Sequence, residues 1–316
     1  MRDRLIEERN APGSHTMNGR RVALFLMLTS LGQPTLAAEE PAYRPVPDWP
    51  ETPSSIQFGA VSALATDSTD RIFVFHRGEH PIVVFDRDGK FVRSWGDGLV
   101  KKAHGLRIDH NDNIWITDIG DHLVRKFAHD GTLLMTLGTK GKPGDGPDQF
   151  NQPTDVAVTP SGAFFVTDGY GNARVLAFSP EGRYLKEWGK RGTGDGEFHL
   201  PHAICLDRRG RIYVGDREND RVQIFNPEGK FLASWTAGGA PFGLGLAVDG
   251  RLFVADGRAN RVTVLDPDGK ALTHWGQKGT DPGQFLMPHA ACLDAQGDVY
   301  VAEINGKRVQ KFTVKK

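Results

Sequence analysis

Three histidines stand at matching places in recurring stretches of the chain: His104 in "AHGLRID", His202 in "LPHAICLD" and His289 in "MPHAACLD". The last two open segments that share nine of twenty positions, "LPHAICLDRRGRIYVGDREN" (200–219) and "MPHAACLDAQGDVYVAEING" (287–306), with the same Pro-His opening. Three imidazoles that converge on a point and leave a fourth direction open form a catalytic zinc site. Iron, cobalt or copper suit the same triangle. A single Pro-His pair on a strand is explained by packing alone, so the metal reading depends on whether the fold brings the three together.

The repeat supplies that fold. Six segments fall into register: "RIFVFHRGEH" (71–80), "NIWITDIGDH" (113–122), "AFFVTDGYGN" (163–172), "RIYVGDREND" (211–220), "RLFVADGRAN" (251–260) and "DVYVAEINGK" (298–307). The column of His76, Asp118, Asp168, Asp216, Asp256 and Glu303 recurs at steps of 40 to 50 residues, and each unit reads as four short strands. A β-branched, aromatic second strand ends in the acidic column. Turns such as "RDGK", "PEGK" and "PDGK" then offer a Gly for the positive φ of a hairpin. Four antiparallel strands repeated around an axis describe an all-β, six-bladed propeller. The last unit stops at "RVQKFTVKK" without a fourth strand, and "YRPVPDWP" (43–50) is the natural donor for it. Pairing the two ends removes a sheet edge.

Register then locates the histidines. The column Ser62, His104, Thr154, His202, Phe242 and His289 opens the innermost strands, so the histidines fall on blades two, four and six, a triangle about the axis. His202 precedes Asp216 by 14 residues, two strands and a hairpin, which puts both columns at one end of the blade. In the loops after the acidic column stand Arg77, Tyr170, Arg217 and Arg258. Guanidinium groups there would grip a carboxylate through paired hydrogen bonds, and a phenol held beside a dication and arginines suits a general base. Each also has a structural explanation, stacking between blades or pairing with the acidic column. The acidic column itself is expected to brace its own loops.

Composition sets bounds. With 39 basic and 39 acidic residues there is no net field to gather nucleic acid or an anionic membrane, so a small or neutral partner is expected. The two cysteines, Cys205 and Cys292, fall two blades apart and are expected to be buried free thiols. Residues 1–38 read as a leader and signal peptide with a possible start at Met17: "NGRR" supplies positive charge, "VALFLMLTSL" the apolar core and "PTLAA" the small residues. That implies export to a periplasmic or extracellular space. Residues 39–56 form the N-terminal segment with the ring-closing strand, and 57–316 form the propeller.

"FHRGEH", "AHGLRIDHNDNIWITD", "QPTDVAV", "FFVTDGYGNARVLAFSPEGRYLKEWG", "LPHAICL" with "DRENDRVQIF", and "MPHAACL" together resemble the peptidyl-α-hydroxyglycine α-amidating lyase family, also called peptidylamidoglycolate lyase, over roughly residues 57–313. The resemblance implies a six-bladed propeller of NHL repeats with zinc held by His104, His202 and His289. It also implies substrate handling by Arg77, Tyr170 and Arg217, and cleavage of a peptidyl-α-hydroxyglycine to an amide and glyoxylate. The implied partner is a peptide or small molecule with an α-hydroxy-amide and a carboxylate. A structural calcium would use the backbone carbonyls of Leu64 and Leu106, but the family's Asp after the third histidine is replaced by Ala290, which makes a poor calcium site. Gly171 stands where hormone-processing members carry a disulfide cysteine. Two other readings compete: a non-catalytic NHL propeller that binds a protein or ligand on its top face, and a calcium-type lactonase. The lactonase would need Glu, Asn and Asp where this chain has histidines.

Overall fold

Runs of five or six apolar, β-branched and aromatic residues, punctuated by Gly turns, build six four-stranded antiparallel sheets in the computed structural model, which describes residues 43–236 and 238–314. The expected leader and signal peptide (1–38) and the first residues of the 39–56 segment lie outside the described residues. The innermost strands of blades 1 to 6 are Val61–Thr66, Ala103–Ile108, Pro153–Val158, Pro201–Leu206, Pro241–Leu246 and Pro288–Leu293. Each of these packs against the next around the ring, and the sixth returns to the first. Among the described residues the one helical element is a single 3-10 turn, Arg217–Asn219, and no helix is long and apolar enough to cross a membrane.

Each sheet is covered on both faces by its neighbours, so the second strands are buried at every position, as in Ile72–His76 and Ile212–Asp216. The core is accordingly divided among the six blade interfaces. Trp115, Phe150, Phe164 and Phe178 fill one of them, and Phe198, Ile204, Val214 and Phe225 contribute to the next. Burying a side chain of this size contributes roughly 1.5–3 kcal/mol.

The ring closes as the sequence requires. In blade 6 the strand Arg308–Val314 pairs with Tyr43–Pro45, Tyr43 opposite Val314 and Pro45 opposite Phe312. The donated strand is shorter than the 43–50 segment. Beyond it Trp49 turns into the seam between blades 6 and 1, with its ring 4.9 Å from Tyr300 and 6.1 Å from Phe85. Cys205 and Cys292 are free thiols, but only Cys292 is fully buried. Cys205 packs at the margin of its core cluster and stays half-buried, a correction to the expectation for both.

One irregularity recurs in every blade. The register between the first two strands skips after Pro201, Pro288 and their counterparts, so Pro201 faces Asp216 while Ala203 faces Gly215, and His202 has no partner. The same skip leaves Ser62, His104, Thr154, Phe242 and His289 outside the ladder. Bulges of this kind re-aim a side chain and end a pairing. Here they free one residue of the inner strand per blade, and in blade 2 both His104 and Gly105.

Candidate metal centre

The three histidines meet. All are buried, at 2%, 1% and 5% exposure for His104, His202 and His289, and their ring centroids lie 4.6 to 5.0 Å apart. Each is oriented by the next blade: Nδ1 of His104 donates to the carbonyl of Thr154, that of His202 to Phe242 and that of His289 to Ser62, all at 2.6 Å. A carbonyl can only accept, so each Nδ1 carries the proton and each Nε2 presents a lone pair to the axis.

Those lone pairs have too few donors. Nε2 of His104 and Nε2 of His202 face each other at 3.1 Å, and the ligand atoms of all three rings lie within 4.8 Å of one another. Two nitrogens bound to one tetrahedral ion at ~2.05 Å stand about 3.3 Å apart, so the triangle is already close to the size a metal requires. Protonation is not the alternative. Burial holds His104 and His202 well below the ordinary imidazole range, with the neighbouring histidines adding to it. Burial likewise lowers His289 to about 3, with the charges of Arg77 and Arg217 adding to it. Neutral, pre-aimed imidazoles converging in a buried pocket fit a metal ion.

Tyr170 stands over the open side. Its hydroxyl is 3.1 Å from His104 Nε2 and 3.0 Å from His202 Nε2. The surrounding "DGYGN" makes local sense: a Cβ on Gly169 would meet the Pro201 carbonyl at 2.1 Å, and one on Gly171 would meet the Asn151 side chain at 2.0 Å. Both flanking residues must be glycine for the loop to seat so closely, and the seating fixes Tyr170. The Arg217 guanidinium lies over the Phe242 ring at 4.6 Å and the Tyr170 ring at 5.5 Å, with Nη1 3.5 Å from the phenol oxygen. Arg77 is half-buried and donates from Nε to the Ala103 carbonyl at 2.9 Å.

Arg258 is not brought into this inner group. Its guanidinium binds Glu218 and, at 2.9 Å, Asp220, and its side chain is nearly half exposed. Glu218 connects it inward, because its other oxygen accepts from Arg217 Nε at 2.8 Å. Sequence reasoning passed over Glu218: a charged residue beside Arg217 carries no signal that it bridges to an arginine 40 positions away. The acidic column behaves as expected. Asp118 accepts from the backbone N–H groups of Lys101, Lys102, Gly120 and Asp121, and Asp216 from those of His199 and Leu200. His76 keeps the pattern with an imidazole in place of a carboxylate, its Nδ1 accepting from the Gly59 N–H at 3.1 Å.

A channel cavity of about 20 Å³, room for a water or an ion, is lined by the three histidines and, beyond them, by Leu64, Leu106, Arg107 and Ala290. The residues implied for calcium do line one space. A methyl group stands where the carboxylate would be, however, and a guanidinium shares the cavity, a donor set that fits calcium poorly.

Fold and site together define a six-bladed β-propeller of NHL repeats with a three-histidine centre in its channel. The NHL repeat model matches residues 150–178 and 198–225. Peptidyl-glycine alpha-amidating monooxygenase B of Xenopus laevis is 36% identical over 228 residues, which cover 60% of this chain and 26% of that protein. NHL repeat-containing protein 3 of Mus musculus is 35% identical over 195 residues, 57% of this chain and 56% of that one. The probable peptidyl-alpha-hydroxyglycine alpha-amidating lyase pgal-1 of Caenorhabditis elegans is 34% identical over 192 residues, 52% of this chain and 55% of that one. The matched region thus spans about a quarter to just over half the length of these relatives.

Proposed function

We propose that this chain is a zinc-dependent carbon–nitrogen lyase that splits a carbinolamide into an amide and glyoxylate. The substrate class is a peptidyl-α-hydroxyglycine or a smaller α-hydroxy-amide such as an acylated hydroxyglycine or ureidoglycolate. One observation carries the reading: the Tyr170 hydroxyl lies within 3.1 Å of two of three converging, proton-free Nε2 atoms, with Arg217 across its ring. The relatives named as alpha-amidating lyase and monooxygenase support it. So do the roles suggested by the resemblance for Arg77, Tyr170 and Arg217.

When bound by His104, His202 and His289, zinc supplies Lewis acidity toward an oxygen ligand. The chain's own residues do the rest. Arg217 and Arg77 hold the substrate carboxylate, and Arg217 is itself steadied by Glu218. Tyr170 Oη takes the proton of the α-hydroxyl as the bond from the α-carbon to the amide nitrogen breaks. The electron pair and a proton pass to that nitrogen, the C–O bond becomes the aldehyde of glyoxylate, and no water is consumed. Phe242, buried beside His202 and His289, gives the pocket an apolar flank. Export follows from the signal-like stretch within residues 1–38 and is read out by N-terminal sequencing of the protein recovered from outside the cytoplasm.

The test is metal content and glyoxylate release from a short peptide ending in α-hydroxyglycine, measured on residues 39–316. The parent is expected to hold about one equivalent of zinc. His202→Ala should lose metal and turnover together. Tyr170→Phe should keep the metal and lose about 10²–10⁴-fold in kcat. A folded parent that loads no divalent metal would return the chain to the binding-propeller reading, and turnover of lactones without carbinolamides would favour the hydrolase.

A further inference from the structure

Arg107 lies three residues past His104 on the inner strand of blade 2, and its side chain, 22% exposed, lines the channel cavity. Nε donates to Asp155 Oδ1 at 3.1 Å and Nη2 to Oδ2 at 2.5 Å, across to blade 3. Nη2 also reaches the Ile204 carbonyl at 3.1 Å in blade 4 and the Leu244 carbonyl at 3.3 Å in blade 5. Asp155 in turn accepts from the backbone N–H groups of Ile204 at 3.1 Å and Val156 at 2.9 Å. One ion pair therefore joins four of the six inner strands. Two of the anchored residues, Ile204 and Leu244, each sit two positions beyond a component of the metal centre: His202, and Phe242, whose carbonyl orients His202.

We propose that Arg107 is the resident cation of the channel, a positioning residue that locks the inner strands of blades 2 to 5 beneath His104 and His202 and removes any need for a second metal ion. A hard dication would need six to eight oxygens, whereas here the one carboxylate reaching the axis from these strands is already paired bidentately with the guanidinium. A fixed organic cation also differs from a metal in that it cannot be chelated away. The inference is independent of which reaction the histidine centre performs.

Three measurements on the purified chain test it. Millimolar calcium or a calcium-selective chelator should leave the melting temperature of the zinc-loaded parent unmoved. Arg107→Met leaves Asp155 buried and unpaired, and should lower the melting temperature by about 5 °C or more. It should also weaken zinc, read by competition with a chromophoric chelator, by about tenfold. Should the Met variant not fold, Arg107→Lys keeps the charge but not the planar fork, and is expected to show smaller losses of both kinds. A calcium-dependent rise in the parent's melting temperature overturns the proposal. So does a Met or Lys variant with the parent's melting temperature, or one that loses stability while holding zinc as tightly as the parent.

Discussion

Each imidazole of the triangle is held neutral by its surroundings, and this has a price in acid. Burial depresses His289 to about 3 and, outside the triangle, His76 to about 4, against an ordinary value of 6.5. Below pH 6.5 the unfolded chain takes up protons on these rings that the folded chain refuses, so stability is full above that value and is lost as pH falls toward 3–4. Each such ring contributes up to about 1.4 kcal/mol per pH unit in that range. Urea midpoints of the metal-free protein should therefore begin to fall already below pH 6.5, where free carboxylates are still ionised, and a flat profile down to pH 4.5 would contradict the assignment. At this scale much of the site was legible. His104, His202 and His289 share a column, and a column maps to a place around an axis. Tyr170 was legible as well, since "DGYGN" departs from its counterpart loops. Glu218 and Arg107 were not, because a tie from one blade to another leaves no periodic trace, and for the same reason the pairing of Arg258 with Glu218 and Asp220 of the neighbouring blade could not be read in advance.

Strands and turns were read with more success than the joints between them. The turn glycines were expected to supply positive φ, and Gly269 does, at +87°. Its second duty is packing: a Cβ there would stand 2.4 Å from the Trp235 ring of the preceding blade. Gly269→Ala should cost about 2–4 kcal/mol, the sum of the left-handed conformation and the clash. Gly98→Ala, at φ +71° with nothing within 4 Å, should cost only the conformational part, about 1–2 kcal/mol. Urea unfolding of the pair separates the two, and equal losses would show that the tryptophan yields freely. The bulges that turn the histidines inward were invisible, because Pro201, His202 and Ala203 alternate no differently from an unbroken strand.

At the scale of the molecule, the fourth strand of blade 6 is supplied by three residues, Tyr43–Pro45. Tyr43 is 3% exposed, stacks on Trp275 with ring centroids 4.3 Å apart and accepts a hydrogen bond from Arg251 at 3.3 Å. Tyr43→Ala should destabilise the propeller by about 3–5 kcal/mol in urea, as for other large buried aromatics. A loss under about 1 kcal/mol would mean that the ring holds without its clasp. The missing fourth strand in the last repeat made this closure readable in advance, though not its brevity.

The carbonyl that orients His289 belongs to Ser62, 227 residues earlier in the chain. A nascent or refolding chain with five blades in place therefore has two ligands and an unaimed gap. The third ligand and the group that aims it come together only when the circle is complete. On the proposed reading, three-histidine coordination would therefore come only after blade 6 has met blade 1, and a tightly held ion would report that meeting.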